Sequence, residues 1–278
     1  MSGGQTELAR AKVNLTLHVG ARRDDGYHSL DSLVVFADFG DTLKFESASR
    51  TSLTIHGTDL LPTDGRNLIL RAMEMAKAPP HHVTLTKNLP ISAGLGGGSA
   101  NAAAALRQFE SGLSDHDLAY DLGADVPVCR SSKTSVMCGI GEDVSPISDL
   151  GQVSAVLVNP GVAVSTRAIF NLMDSVSRSE SPTRSLRKGD LLTRALSGTN
   201  DMQEAAIAQA PSIAAVLRAL AQQTGCELAR MSGSGATCFG IFRSDAQAQA
   251  AAAKLSAAQP VWWVRACRLG DITNDSVS

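Results

Sequence analysis

At 278 residues, with 44% apolar and 19% charged side chains, the chain can fill two globular cores and is too apolar for a disordered protein. A formal charge of −2 offers no electrostatic footprint for nucleic acid or an anionic membrane, which leaves small molecules as the expected partners. Cys129, Cys138, Cys226, Cys238 and Cys267 form no CxxC pair and no zinc-spaced cluster, and no signal pattern or long apolar run stands out, so a reduced, cytoplasmic protein is expected.

In residues 11–19, AKVNLTLHV, the side chains alternate, with Ala11, Val13, Leu15, Leu17 and Val19 on one face and Lys12, Asn14, Thr16 and His18 on the other. A period of two predicts a half-buried strand with a polar face. RRDDGYH is a turn around its Asp-Gly, and SLVVFADF, TLKFES and SLTIHG read as three strands of an antiparallel meander. GRNLILRAMEMAKA has helical spacing and stops at Pro79-Pro80, and HHVTLTKNLP alternates as a strand again. A glycine loop follows, then an alanine-rich helix, SANAAAALRQFESGL, with Ser99 expected at its entrance.

Near residue 150 this mixed sheet is expected to end. VSAVLVNPGV reads as a strand, STRAIFNLM as a helix, and DSVSRSESPTRSLRKGD as a mobile loop rich in Ser, Arg and Pro. Beyond it come helix PSIAAVLRALAQQ, strands CELARM and ATCFGIF, helix DAQAQAAAAKLSA and strand VWWVRACRL. With the strand near 155 this gives the β-α-β-β-α-β order of a split βαβ, ferredoxin-like unit. The expected class is therefore α+β in two domains, residues 1–150 and 151–278.

Gly94, Gly96, Gly97 and Gly98 fill four of five positions before Ser99 and the alanine helix. Glycines let backbone N–H groups close on phosphate oxygens, and a helix N-terminus adds positive potential, so this loop suits a nucleotide triphosphate. It is neither a Walker A loop, since no Lys follows Gly98, nor GxGxxG, since Ser99 stands where the third glycine would be. A flexible turn is the plain alternative, but such a run is costly in chain entropy unless close approach or positive φ is required. A second cluster, MSGSGATCF at 231–239, reads as well as a hairpin turn as it does as a functional loop. In LGADVPV, Asp125 sits among apolar neighbours; it is either a helix cap or the partner of a buried cation, and Lys12 on its strand is such a cation. Tyr27 and His28 are loop residues or a stacking platform for a planar ring. His81 and His82 have no third ligand nearby and are read as non-metal.

Taken together, AKVNLTLHVGARRDDGYHSLDSLVVFADFGD (11–41), RNLILRA (66–72), KNLPISAGLGGGSANAA (87–103), LGADVPV (122–128), GIGE (139–142), NPGVAVSTRAIF (159–170) and MSGSGATCFGIF (231–242) resemble the GHMP kinase superfamily. AKVNL with DGYH is similar to the branch whose acceptor is a cytidine diphosphate derivative of a sugar alcohol. The resemblance implies the two-domain GHMP fold, with an S5-like N-terminal domain that binds ATP and catalyses and a ferredoxin-like C-terminal domain that binds the acceptor. It implies ATP-dependent phosphorylation of the acceptor's 2-hydroxyl in isoprenoid precursor synthesis, by direct in-line transfer. Asp125 would be the base and Lys12 its activator, with Asn14 orienting them. Tyr27, His28, Ile140, Thr166 and Phe170 would surround the cytosine. Gly94, Gly96, Gly97, Gly98 and Ser99 would surround the phosphates, with Asn67, Leu68 and Lys87 near the adenosine. Mg²⁺ would accompany ATP, with Ser99 as its candidate protein ligand. The expected protein is a monomer or weak homodimer. Two departures stand out: the stretch from Ala103 to Asp125 is shorter than the family's, and Ser92 and Ala93 replace glycines, which bears on ATP affinity.

Overall fold

The structure is a computed structural model and describes residues 4–109, 112–173 and 188–272. The chain opens with β1 (Gln5–Asn14) and β2 (His18–Arg22), both antiparallel to β3 (His28–Ser47). The single strand expected over 11–19 is therefore two strands. The break at Leu15–Leu17 is held without a ladder: the Leu33 amide donates to Thr16 Oγ1 (3.1 Å), Ser32 Oγ donates to the Thr16 carbonyl (2.6 Å), and the Leu17 amide donates to Thr199 O (2.8 Å). It also splits the apolar row, sending Leu15 to one core and Leu17 and Val19 to another. The polar face is not solvated either: Lys12, Asn14, Thr16 and His18 are all under 5% exposed.

SLVVFADF and TLKFES merge into the 20-residue β3 because Gly40 and Asp41 pass through the sheet instead of turning. A side chain at Gly40 would collide with the Ala9 backbone, and fully buried Asp41 accepts from the Asn88 (2.8 Å) and Leu89 (2.9 Å) amides. β4 (Ser52–His56), α1 (Leu68–Met75) and β5 (His81–Thr86) come next. β5 pairs antiparallel with β3 and β4 pairs parallel with β5, so the expected meander is a mixed sheet. α2 (Gly97–Gln108) is capped by Gly96 at φ +63°, which places Ser99 inside the first turn, not at the entrance. The short stretch after it forms α3 (Asp115–Asp121) and α4 (Val126–Ser131), and β6 (Ser135–Gly139) with β7 (Asp143–Pro146) returns to β3. One core lies between this sheet and α1, α2, α3 and α4.

β8 (Gln152–Asn159) begins the second half, followed by α5 (Thr166–Met173), α6 (Leu191–Leu196) and α7 (Gln203–Gln209), of which only α5 is legible as a sequence pattern. α8 (Ser212–Ala221), β9 (Cys226–Met231), β10 (Cys238–Phe242), α9 (Asp245–Ala258) and β11 (Trp263–Gly270) complete it. The strand order β11-β8-β10-β9 is that of a split βαβ unit. β11 also pairs with β3 through Leu269 and Gly270, so one eleven-stranded sheet runs through both halves. A second core lies under α5, α7, α8 and α9, and a third takes residues from both halves, among them Val13, Leu15, Leu157 and Phe239. Most of the Ser/Arg/Pro loop lies outside the described residues. Among the described residues all five cysteines are free thiols, and no helix is long and apolar enough to cross a membrane.

Candidate active site

Two residues 113 positions apart meet at the centre of the molecule: Lys12 Nζ donates to Asp125 Oδ2 at 2.9 Å and to Asn14 Oδ1 at 2.9 Å. Lys12 is almost wholly buried on β1, whereas about a third of the Asp125 side chain reaches solvent. Asp125 occupies the N-cap position of α4, yet its side chain makes no cap hydrogen bond. The carboxylate is turned to the lysine instead, which decides between the two readings the sequence left open. Asn14 is fixed in turn, with Nδ2 donating to Ser32 Oγ (2.7 Å) and its amide donating to Ser232 Oγ (3.1 Å). One helical turn beyond Asp125, burial first and the Asp125 charge second push the Cys129 thiol up to about 12, so it is inert at neutral pH.

The glycine loop passes directly over this pair. A Cβ at Gly96 would lie 3.2 Å from Lys12 Cε and 3.7 Å from Asp125 Oδ2, and the Lys12 amide donates to Leu95 O at 3.0 Å. On the far side of the loop, a Cβ at Gly98 would meet Leu68 Cδ1 (3.5 Å) and one at Gly97 would meet Lys87 Nζ (3.4 Å). Lys87 forms a buried ion pair with Asp41. Asn67 caps α1, accepting from the Ile69 amide (3.0 Å) and donating to Pro62 O (2.7 Å). Asn67, Leu68 and Lys87 therefore stand beside the loop, apart from the cavity that holds Lys12 and Asp125.

That cavity, about 750 Å³, is lined by Lys12, Asn14, Ser99 and Asp125 and also by Tyr27, His28, Ile140, Thr166 and Phe170. Nine of the residues singled out by sequence thus share one space. Its outer part is aromatic. The His28 and Phe170 rings stack with centroids 5.0 Å apart at 14°, while half-exposed Tyr27 meets Tyr120 edge-on. His28 Nδ1 lies 3.0 Å from Gly20 O, and since a carbonyl only accepts, this nitrogen carries the hydrogen. The second glycine-serine cluster completes the wall. Ser232 Oγ donates to Gly94 O (3.0 Å), the Thr237 amide donates to Ala93 O (3.1 Å), and the Thr166 and Ser234 hydroxyls are 2.7 Å apart. This cluster is therefore part of the site and not a bare hairpin.

Sequence reasoning did not single out Ser232, which bridges Asn14 to the glycine loop, or Arg22, Arg167 and Asn171 in the cavity wall. Arg167 and Asn171 lie within a turn of Phe170 on α5, and that spacing was the available signal.

The two halves match the GHMP kinases N terminal domain over residues 67–141 and the GHMP kinases C terminal family over 184–261, so fold and sequence define a kinase of the GHMP type, a class that uses ATP. A protein of Roseobacter denitrificans named 4-diphosphocytidyl-2-C-methyl-D-erythritol kinase is 45% identical over 95% of this chain and 93% of its own length. One of the same name from Cereibacter sphaeroides is 45% identical over 94% of this chain and 98% of its own. A crystal structure of 4-(cytidine 5'-diphospho)-2C-methyl-D-erythritol kinase superposes with a TM-score of 0.75 at 30% identity, covering 96% of this chain and all of that one. The chain belongs to the 4-diphosphocytidyl-2-C-methyl-D-erythritol kinase family.

Proposed function

We propose that the enzyme transfers the γ-phosphoryl group of ATP to the 2-hydroxyl of 4-diphosphocytidyl-2-C-methyl-D-erythritol, a step of isoprenoid precursor synthesis in the cytoplasm. The observation that carries this reading is the Lys12–Asp125 pair set between a glycine loop and an aromatic-ended cavity. ATP takes the loop, with Gly94, Gly96, Gly97, Gly98 and Ser99 around its phosphates and Asn67, Leu68 and Lys87 near its adenosine. Tyr27 at the mouth and the stacked His28 and Phe170 supply ring faces for the cytosine, with Ile140 and Thr166 beside them. Arg167, with no ion-pair partner among the described residues, adds positive charge where the substrate's diphosphate must pass. The functional division falls near residue 150: residues 1–150 bind ATP and catalyse, and residues 151–278 bring α5 to the acceptor.

In the transfer, the 2-hydroxyl gives its proton to Asp125, its oxygen bonds to the γ-phosphorus, and the bridging bond to the β-phosphate breaks to release ADP. Lys12 donates a hydrogen bond to Asp125 and places a cation beside the reacting phosphoryl group, while Asn14, held by Ser32, fixes the ammonium. No covalent intermediate on the protein is needed. Mg²⁺ bound with ATP supplies charge neutralisation on the phosphates. Ser99 is its candidate protein ligand. Its single hydroxyl oxygen in the cavity wall is a donor that suits an ion carried mainly by phosphate oxygens and water.

The test is ATP-dependent turnover of the cytidyl substrate with homoserine and mevalonate as controls, in wild type and in Asp125→Asn. Turnover is expected with the cytidyl substrate alone. Loss of the base should lower kcat by about 10²- to 10⁴-fold with ATP binding retained. Near-normal turnover by the variant removes Asp125 from this role, and turnover of a control alcohol replaces the acceptor.

A further inference from the structure

Arg107, in the last turn of α2, sits well away from the cavity, yet its guanidinium touches both other elements that carry reacting groups. Nε donates to Glu7 Oε2 (3.0 Å) and one terminal nitrogen to Leu8 O (3.0 Å), both on β1. The other terminal nitrogen donates to Cys129 O (2.9 Å) and reaches Ser132 Oγ (3.5 Å) at the C-terminal end of α4. Followed from this knot toward the cavity, each element delivers one part of the site. β1 reaches Lys12 four residues after Leu8, about 13 Å along a strand. α4 reaches Asp125 one turn back from Cys129, about 6 Å. α2 reaches Ser99 and Gly96 roughly two to three turns before Arg107.

We propose that Arg107 is a positioning residue that sets the spacing of Lys12, Asp125 and the glycine loop from the opposite end of their elements, an inference that rests on the roles given to Lys12 and Asp125 above. Two features make these elements depend on it. The buried face of α2 is mostly alanine, Ala100 and Ala102 to Ala105, a smooth surface whose one large buried side chain, Leu106, lies beside Arg107 in the last turn and leaves the site end of the helix unkeyed. Its N-terminus has no side-chain cap, because the cap residue is Gly96. α4 is only six residues long, and its cap residue has turned its carboxylate to Lys12, so no side chain caps its N-terminus either. A second set of directional contacts joins all three elements at their other ends. There Arg107 supplies charge-assisted hydrogen bonds to the β1 backbone and to a carbonyl at the negative end of α4.

The experiment is steady-state kinetics of Arg107→Ala, Arg107→Lys and Glu7→Gln, beside Asp125→Asn, at a temperature where circular dichroism shows each fully folded. Arg107→Ala is expected to lose about 10- to 100-fold in kcat, as a misplacement near 1 Å would, with the KM of both substrates within about threefold of wild type. Free guanidinium at millimolar concentration should restore part of that loss in Arg107→Ala and none in Asp125→Asn. Arg107→Lys, able to reach one element but not both, should fall between, and Glu7→Gln should be mild because both carbonyl contacts survive. A folded Arg107→Ala with wild-type kcat, or a loss that tracks melting temperature and ignores guanidinium, overturns the proposal. If the alanine variant does not fold, wild-type kcat in folded Arg107→Lys does so. An active Asp125→Asn would instead overturn the catalytic assignment on which the inference stands.

Discussion

Gly96 illustrates how one residue can constrain both backbone and chemistry. Its φ of +63° costs an L-residue about 1–2 kcal/mol, and its missing side chain leaves the space into which Lys12 and Asp125 rise. Gly96→Ala should therefore lower kcat by about tenfold or more while costing only about 1–2 kcal/mol in urea denaturation. Unchanged kcat would separate this glycine from the pair's geometry. Four positions earlier, Ser92 already holds a left-handed φ of +51°, a conformation that explains the ease of a glycine there. The identity of such residues is visible in a sequence, but their pairing is not. Lys12 and Asp125 could be suspected singly from a charge among apolar neighbours, and only the resemblance joined them across 113 positions. Arg107 gave no signal, because a cation in a helix's last turn is the ordinary complement of the helix dipole.

Among the elements, the break between β1 and β2 is the feature that alternation missed. The residues from 11 to 19 keep a perfect period of two, but the pattern reports which side chains share a face and not whether both faces are covered. Here the segment from Ala195 to Asp201 covers Thr16 and His18 on the second face, while Lys12 and Asn14 line the cavity. Arg230, a buried cation with no carboxylate partner among the described residues, donates to the carbonyls of Leu15 (2.6 Å), Ala195 (2.8 Å) and Gly198 (2.7 Å), and burial lowers its pKa to about 10, leaving it charged at neutral pH. Asn200 donates to Met231 O and Gly233 O, both at 2.8 Å, and so ties the segment to the second glycine-serine loop. Asp201 closes the arrangement, accepting from the Val19 amide (3.1 Å) and the Thr199 hydroxyl (3.0 Å). Burial alone would raise its pKa, but His18, Val19 and Thr199 outweigh it and hold the carboxyl down at about 2. A folded pKa below the unfolded value contributes stability that is present above about pH 4 and lost as pH falls through about 2. Asp201→Asn should remove about 2 kcal/mol at most at pH 7 and flatten the decline in stability between pH 4 and 2. An acid limb identical to wild type would show that this carboxylate is not what holds the segment down.

At the scale of the molecule, the ferredoxin-like order of the second half was legible because its strands and helices alternate cleanly, whereas the mixed pairing of β3, β4 and β5 was not, since nothing in short alternating strands specifies their partners. The two functional halves share more than a boundary. β3 pairs with β11, and the central core interleaves Val13 and Leu15 with Leu157 and Phe239. Calorimetry should accordingly show one cooperative unfolding transition, and fragments 1–150 and 151–278 expressed apart should not fold; two resolved transitions would show that the shared core does not couple them. The contact between the two glycine-bearing loops has a different kind of consequence, for resistance to inhibition. Gly94 and Gly233 meet through main-chain atoms, and a side chain at Gly94 would come within 2.5 Å of Ser232 O. A compound that bonded only to backbone groups on that wall would face a surface with few substitutions open to it, because those that would evict the compound would also collapse the wall.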